Sequence, residues 1–343
     1  MMIKALNEQH ALSARAKQAP RNDAMPVTVF ISSTDRCNLR CPDCFSNIGR
    51  YGEMPFEKFK RLADELFPAA KEYHTTVEGE PLTTSYFLDI VPLLEKHSTM
   101  MKLTTNGTLL DGDMAARVMH VLGSVRFSVN GATKEMFERL SLGSDFEGVM
   151  RNIERFIRLR EHSTNRPKVT LQTVISIDNI AQLPDIVRMA YRLGVERVKA
   201  QHMIACNLSG RKRTLWFHQE IANQYLEEAE ALAKELGLES KFPRRFGKEK
   251  RRKEGRKICH FLWQEGWVQV DGTVISCCHP KHMVMGNAFE KGFASVWNGE
   301  EYQDLRKKLN TAKEPAACKT CLLVEAYRGG GKEYGEGDFV HER

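Results

Sequence analysis

The sequence predicts an α/β fold in which a parallel sheet forms a partial barrel and a small cysteine-rich domain follows it. Apolar, β-branched runs alternate with segments of helical period six times between residues 26 and 240. Six repeats rather than eight indicate an incomplete TIM-like barrel, a partial (β/α)6 arrangement. Five of the nine cysteines lie beyond residue 258, where this alternation has ended.

The predicted elements follow one another in a regular order. The strands are 27–31, a run that ends at 77–82, and then 100–107, 125–131, 169–175 and 197–203. The helices are 55–67, 111–121, 132–139, 145–160, 183–193 and 218–236. Parallel strands with right-handed crossovers place functional residues at the carboxyl ends of the strands. After Met203 the alternation is expected to stop.

Composition narrows the class of protein. The chain has 343 residues, 42% of them hydrophobic and 28% charged, as in a globular protein. No apolar run approaches the roughly 18 residues that span a bilayer, and residues 1–25 contain no signal-peptide core, so we expect a cytoplasmic protein without a membrane partner. In that reducing compartment cysteines are metal ligands more often than disulfides.

The predicted division of the chain has five parts. They are an N-terminal extension without periodic signal at 1–25, the barrel at 26–240, a basic linker at 241–258, the cysteine-rich domain at 259–326 and a polar tail at 327–343. The net charge of +7 is local, because residues 244–257 hold nine basic and two acidic side chains. This run is either a solvated linker or a surface that neutralises an anionic substrate. Apart from Phe246 it has no aromatic residue among its charges, which argues against nucleic-acid binding.

Three cysteines, Cys37, Cys41 and Cys44, follow the first predicted strand with C-x3-C-x2-C spacing. Three thiolates can hold three corners of an iron–sulfur cube and leave the fourth iron open, whereas closed structural sites normally supply a fourth ligand. This loop resembles that of the radical S-adenosylmethionine (SAM) superfamily. The resemblance implies a 4Fe–4S cluster whose open iron is chelated by the amino and carboxylate groups of SAM.

The same resemblance implies a set of SAM contacts. Gly79, Glu80 and Pro81 match the Gly-Glu-Pro turn whose backbone carbonyls meet the SAM amino group, although Glu78 stands where the family usually has a further glycine. The residues that we expect to contact the cofactor are Gly79, Glu80, Pro81, Thr105, Asn106, Ser128, Arg139 and Gln172. Two positions depart from the family pattern, because Asn130 replaces an aspartate and Asp43 replaces an aromatic residue.

A second group of thiols indicates another metal centre. An Asp271-Gly272 turn predicts a hairpin over 267–275 that brings Cys259 and Cys277 to the ends of one ribbon. The pair Cys318 and Cys321 can then close four thiolates around one centre. This resembles the truncated SPASM domain called Twitch, which implies one auxiliary 4Fe–4S cluster. Spacing alone does not separate that cluster from a four-thiolate zinc site.

The resemblance implies that a 5′-deoxyadenosyl radical takes a hydrogen atom from an unactivated carbon, with flavodoxin or ferredoxin as the electron donor. An auxiliary cluster with four cysteine ligands accepts a second electron. We therefore expect a dehydrogenase that acts on a small polar molecule, anionic or sugar-like, such as an aminocyclitol. His202, Gln201 and Gln172 are the candidate proton acceptors, and His202 is expected to titrate near neutrality unless it is structural.

Three other functions stay open. An epimerase or decarboxylase would use Cys278 or Cys206 to return a hydrogen atom to a carbon radical, although buried free cysteine is the commoner fate of such residues. A peptide-modifying enzyme is disfavoured because residues 1–25 are too short for a leader-peptide-binding domain. A zinc-binding interaction module would require Cys37, Cys41 and Cys44 to be incidental.

Overall fold

The computed structural model describes residues 2–42, 44, 52–75, 78–205, 208–247, 259–279, 282–319 and 321. Its strands are β1 Thr28–Ile31, β2 Glu72–His74, β3 Met100–Thr105, β4 Leu122–Ser128, β5 Lys168–Ile175, β6 Arg197–His202, β7 Glu239–Lys241, β8 Glu265–Val268, β9 Thr273–Ile275 and β10 Val284–Asn287. Its α-helices are α1 Met2–Ala16, α2 Phe56–Leu66, α3 Ile90–His97, α4 Gly112–Val118, α5 Lys134–Leu140, α6 Phe146–Glu161, α7 Leu183–Leu193, α8 Leu208–Arg211, α9 Gln219–Glu235, α10 Phe261–Gln264, α11 Ala288–Lys291, α12 Phe293–Trp297, α13 Glu300–Lys308 and α14 Ala316–Lys319.

The chain divides into two compact units, and the first contains Met1–Arg36, Gly49–Leu103 and Lys253–Gly329. Its strands lie in the order β10-β9-β8-β1-β2-β3. The neighbours from β8 to β3 are parallel, and β8–β9 and β9–β10 are antiparallel. The predicted hairpin is therefore confirmed. The pairing of β8 with β1 was not predicted, and it makes the cysteine-rich segment a continuation of the sheet that begins the barrel.

One face of this sheet packs on helices. Val29 and Ile31 of β1 are fully buried, and the buried Tyr73 of β2 contacts the rings of Phe59 and Phe67 at centroid distances of 5.8 and 5.4 Å. Helix α2 presents an apolar stripe toward them, as its helical spacing predicted. The opposite face of the strands is therefore left for polar and aromatic side chains.

Residues 1–25 are not the bare extension that we expected. Helix α1 belongs to the first unit, where the buried Lys4 donates to the carbonyl of Ser98 at 3.0 Å and to the hydroxyl of Thr99 at 2.6 Å. Asn7 donates to the carbonyl of Met25 at 2.9 Å. These contacts are polar, so the helix lacks the apolar stripe from which sequence periodicity is read.

The second unit contains Cys37–Ile48, Thr104–Arg252 and Gly330–Arg343. Its strands β4, β5, β6 and β7 are successive parallel neighbours. The expectation that the alternation stops after Met203 is wrong, because α9 leads to β7, which pairs with β6. The sequence Glu-Ser-Lys of β7 has no apolar residue, so it gave no strand signal.

Three helices of this unit, α4, α5 and α6, begin where a short polar side chain caps them. Asp111, Thr133 and Asp145 accept from the backbone N–H three residues later, at 2.9, 3.3 and 3.1 Å. The α/β class and its parallel strands are confirmed, and most predicted helices agree with the structure to within a few residues. None of the described helices is both long and apolar enough to cross a membrane. Most of the basic run, from 248 to 258, lies outside the described residues.

Candidate functional site

The loop after β1 brings the first three cysteines together. Burial, and then the neighbouring Cys44 and Cys37, raise the pKa of the Cys41 thiol to about 11, so the three sulfurs are close enough to interact electrostatically. The backbone N–H of Leu39 lies 3.4 Å from the Cys37 sulfur, and the N–H of Cys44 donates to the carbonyl of Cys41 at 3.3 Å. Three thiols thus lie on one tight loop, held in part by its own backbone.

Asn106, at the carboxyl end of β3, contacts two residues of this loop. Its Nδ2 lies 3.9 Å from the Cys37 sulfur and donates to Oδ1 of Asn38 at 2.9 Å. Asn38 in turn donates to the hydroxyl of Thr108 at 2.8 Å, and the Thr108 N–H donates back to Asn106 at 3.0 Å. The amide of Asn106 thus contacts a predicted cluster ligand, and its contact with SAM stays a prediction. Asn38 and Thr108 were missed.

The opposite side of the loop is held by the segment after α5. The N–H of Arg40 donates to the carbonyl of Leu142 at 2.9 Å, and the side chain of Ser141 forms a hydrogen bond with the Cys41 thiol. The thiol loop is therefore fixed from two directions within the second unit. Such anchoring positions ligands before a metal binds.

Gly79 lies at a turn that only glycine fits. Its φ is +73°, and a Cβ added there would lie 2.7 Å from the carbonyl oxygen of Arg36 and 2.8 Å from that of Thr34. The N–H of Glu80 donates to the same Arg36 carbonyl at 2.8 Å. Arg36 directly precedes Cys37, so this turn is fitted against the residue that leads into the thiol loop.

Glu80 and Pro81 shape the rest of the turn. The buried carboxylate of Glu80 accepts from the N–H of Leu82 at 3.3 Å and so caps the 3-10 helix Pro81–Thr83, whose first residue is Pro81. The Glu80 side chain is thus used structurally. The contact between the backbone of this turn and the SAM amino group stays a prediction.

Two other residues predicted to contact SAM, Thr105 and Arg139, have side-chain partners within the protein. The buried Thr105 hydroxyl accepts from the N–H of Gly107 at 3.0 Å. The side chain of Arg139 is 58% exposed, and its Nη2 lies 3.7 Å from a carboxylate oxygen of Asp178. Arg139 therefore lies on the surface of its unit, which weakens its proposed contact with the SAM carboxylate.

Ser128, Gln172 and Lys199 form one register row across β4, β5 and β6. Side chains of this face alternate with buried apolar ones such as Phe127 and Leu171, which lie on the opposite face. Gln172 Oε1 is buried and has no hydrogen-bond partner among the described residues, as expected of an atom that awaits a ligand. Ser128 and Gln172 were predicted. Lys199 was missed, although its alternation with Val198 and Ala200 marks this face.

His202 ends β6, with its ring 5.1 Å from that of Phe246. Burial lowers its pKa to about 3, a shift that a hydrogen bond with the Arg244 backbone only partly offsets. The expectation that His202 titrates near neutrality is therefore wrong in this structure. A neutral imidazole with so low a pKa is a poor proton acceptor at pH 7.

The first unit holds the second group of thiols around one pocket. Its empty space is about 460 Å³, including the part that opens to solvent. The lining contains Cys259, Cys277, Cys318 and Cys321, the four thiols that spacing had grouped. The rest of the wall is mostly apolar, with Phe261, Leu262, Met283, Leu305 and Leu309 beside the polar residues Ser276, Asn310 and Glu314. Four soft ligands in a largely apolar cavity fit an iron–sulfur cluster.

Hydrogen-bond donors face these sulfurs. The backbone N–H groups of Phe261 and Leu262, at the start of α10, point to the Cys259 thiol, and the Ser276 hydroxyl lies 3.8 Å from the Cys277 sulfur. Even so, burial raises the pKa of Cys259 to about 12. A metal that displaces this proton would restore a charge for which the donors are already placed.

The separation of the sulfurs bears on the zinc alternative. A tetrahedral zinc site with bonds of about 2.3 Å brings neighbouring sulfurs to about 3.8 Å. In the described ranges no three thiols lie within 4.8 Å of one another. Both groups of thiols are therefore spread more widely than a single zinc ion requires, which suits a cluster of several irons.

The leftover cysteines differ in what the structure describes. Cys278 is exposed and is not part of the pocket wall that contains its neighbour Cys277. Burial around its sulfur nevertheless raises the pKa of the Cys278 thiol above its ordinary value, so the choice between a buried free thiol and a hydrogen donor stays a prediction. Cys206 and Asp43, by contrast, lie outside the described residues.

Comparison with known families matches two segments of the chain. Residues 31–190 match the model of the radical SAM superfamily, and residues 259–322 match that of the SPASM iron–sulfur cluster-binding domain. The first match contains the thiol loop and the Gly79 turn. The second contains all four thiols of the pocket.

Three curated relatives align with most of this chain and with most of their own length. A cofactor-modifying protein for tungsten-containing aldehyde ferredoxin oxidoreductase, from Pyrococcus furiosus, is 26% identical over 87% of this chain and 88% of its own. Mycofactocin maturase MftC of Mycobacterium tuberculosis is 24% identical over 92% of this chain and 80% of its own. PqqA peptide cyclase of Bradyrhizobium diazoefficiens is 22% identical over 89% and 81%.

Solved structures share the fold. Streptococcus suis SuiB bound to S-adenosylmethionine superposes with a TM-score of 0.67 at 16% identity, covering 94% of this chain and 76% of SuiB. The enzyme anSMEcpe with bound AdoMet gives 0.65 at 17% identity, covering 89% and 85%. These matches support the partial-barrel fold that the six repeats predicted.

Proposed function

Because the chain belongs to the radical SAM superfamily and carries a SPASM-type cluster domain, we propose that it oxidises a peptide side chain by two electrons. The single observation that carries the oxidation is the pocket of Cys259, Cys277, Cys318 and Cys321. Four thiols complete the coordination of a cluster, which favours electron transfer over substrate binding.

Two bound groups bring the reactive chemistry. When bound, SAM on the Cys37, Cys41 and Cys44 cluster would supply a carbon-centred radical that takes a hydrogen atom from a C–H bond, and the auxiliary cluster would supply an acceptor for the second electron, while the second hydrogen leaves as a proton to solvent. The chain's own contribution is placement. Asn106 orients Cys37, and Gly79 lets the turn approach Arg36 closely enough for its backbone to meet a ligand.

The relatives favour a peptide as the substrate. MftC is a maturase, PqqA peptide cyclase acts on a peptide by its name, and SuiB and anSMEcpe have been solved with peptides bound. None of these names supports the aminocyclitol or sugar substrate that we had expected. The substrate class is therefore proposed as a peptide.

The register row of Ser128, Gln172 and Lys199 indicates which chemical groups the substrate should carry. Lys199 lies in register with Gln172, and Arg126 lies two residues before Ser128 on the same face of β4. Two cationic side chains on this face favour a substrate with a carboxylate near the reacting carbon. An acidic peptide satisfies both this preference and the comparison with the maturases.

The proposal is tested by measuring the transfer of deuterium from candidate substrates into 5′-deoxyadenosine. Anaerobically reconstituted protein is given SAM and dithionite with short synthetic peptides deuterated on carbon, one set rich in Asp and Glu and one rich in Lys and Arg. Deuterated aminocyclitols and sugars form a third set. Mass spectrometry then measures deuterium in 5′-deoxyadenosine and the mass of each product.

We expect label from the acidic peptides and a product that has lost two hydrogens. Label from the cyclitols or sugars alone would contradict the peptide assignment. Label from a peptide whose product keeps its mass would contradict the two-electron oxidation. If SAM is not cleaved at all, the whole proposal fails.

A further inference from the structure

Trp267, on β8, has a buried donor without an acceptor. Its side chain is 5% exposed, and its indole Nε1 has no hydrogen-bond partner among the described residues. Two other buried tryptophans of the same unit are satisfied, because Trp263 donates to the carbonyl of Ala19 and Trp297 to that of Ala24, each at 2.9 Å. Buried indole N–H groups normally find a partner, so the one on Trp267 requires an explanation.

The ring of Trp267 is fixed beside the thiol pocket. It packs in a cluster with Phe261 and Ile275, against which Cys259 and Cys277 lie. Its other side stacks on Phe30, with ring centroids 3.6 Å apart and an angle of 6° between the planes. The indole is thus part of the apolar cluster on which Cys259 and Cys277 pack, although Trp267 itself is not one of the residues that line the pocket.

Glu265, two residues before Trp267 on the same strand, offers an alternative acceptor. Glu265 Oε1 lies 3.1 Å from His260 Nε2, whereas Oε2 is buried without a partner in the described part of the chain. Since neither the indole donor nor this oxygen has a partner, the two do not reach each other. The sulfurs of the pocket are then the acceptors that a bound cluster would bring to the indole.

We infer that the Trp267 N–H is a hydrogen-bond donor to the auxiliary cluster, either to the thiolate of Cys259 or Cys277 or to a sulfide of the cluster. A donor to sulfur stabilises the reduced, more negative cluster and so raises its reduction potential. Trp267 is then a positioning and tuning residue. Its purpose rests on the proposed electron-acceptor function, whereas the hydrogen bond itself requires only that the pocket holds its cluster.

The test measures the auxiliary cluster directly. In full-length protein with Cys37, Cys41 and Cys44 replaced by Ala, the remaining cluster is titrated electrochemically and followed by EPR, without SAM or peptide. W267F should lower the ratio of reduced to oxidised cluster about tenfold at a fixed ambient potential, which for one electron is a shift of about 59 mV. Because no substrate is present, an incorrect peptide assignment leaves this result unaffected.

W297F is the matched control, since it removes an indole N–H that a backbone carbonyl already satisfies. Its potential should equal that of the parent protein. An unchanged potential in W267F, or an equal shift in W297F, overturns the inference. If Phe at 267 does not retain the iron, benzothienylalanine at that position keeps the bicyclic ring and removes only the donor. An unchanged potential there overturns the inference equally.

Discussion

Substituting Gly79 by Ala tests how the turn at Gly79, Glu80 and Pro81, for which we predict SAM contacts, is built. The new Cβ would take a left-handed φ of +73° and meet two backbone oxygens, those of Arg36 and Thr34, at 2.7 and 2.8 Å. The left-handed conformation costs about 1–2 kcal/mol for a residue with a Cβ. Displacing the turn also loses the Glu80–Arg36 hydrogen bond, a further ~0.5–1.5 kcal/mol. The combined cost is about 1.5–3.5 kcal/mol.

If this cost falls on the SAM-bound form, the dissociation constant for SAM rises about 10- to 400-fold. Anaerobic equilibrium dialysis of reconstituted protein measures that constant. Gly237→Ala is the control, because Gly237 has a φ of +69° and a Cβ there would meet nothing within 4 Å. It should cost global stability and leave SAM affinity unchanged. SAM affinity in Gly79→Ala equal to that of the wild type would refute the reasoning.

Three further predictions concern the thiol groups and the buried histidine. Asn106→Ala removes the amide that contacts the Cys37 sulfur and should slow 5′-deoxyadenosine formation about tenfold. The control Asn165→Ala should not slow it, because the Asn165 amide donates to backbone carbonyls elsewhere in the second unit. Equal rates in the two variants would contradict this prediction. Cys277→Ala should lose about four of the about eight irons per chain, whereas Cys278→Ala should lose none. An iron assay measures both, and the reverse result would make Cys278 the ligand. The pKa of His202 is about 3 in the folded state and about 6.5 in the unfolded state. Because the unfolded state therefore binds a proton first as the pH falls, the free energy of unfolding should decrease by about 2 kcal/mol between pH 7 and pH 5. Urea unfolding of His202→Gln at pH 7 and pH 5 should show a smaller pH effect than the wild type.

Local patterns were enough to predict much of the architecture. The C-x3-C-x2-C spacing, the Asp271-Gly272 hairpin and the pairing of Cys318 with Cys321 are short-range features, and their chemistry follows from adjacent residues. Helical periodicity located most helices for the same reason. Such signals are contained within one element or one turn.

What the sequence did not predict depends on distant contacts. The pairing of β8 with β1 joins segments more than 230 residues apart, and β7 is recognisable only through its partner β6. The low pKa of His202 arises from burial, which no local pattern reports. The orphaned donor of Trp267 likewise becomes visible only when its neighbours are in place.

The central claim is that one iron of the Cys37, Cys41 and Cys44 cluster is left without a protein ligand and takes SAM. The most direct measurement is electron–nuclear double resonance on the reduced cluster with SAM labelled by ¹⁵N at the amino group and ¹⁷O at the carboxylate, in protein with Cys259, Cys277, Cys318 and Cys321 replaced by Ala. Hyperfine coupling from both labels is the predicted result. A cluster signal that shows neither coupling, and that SAM does not change, would contradict the account.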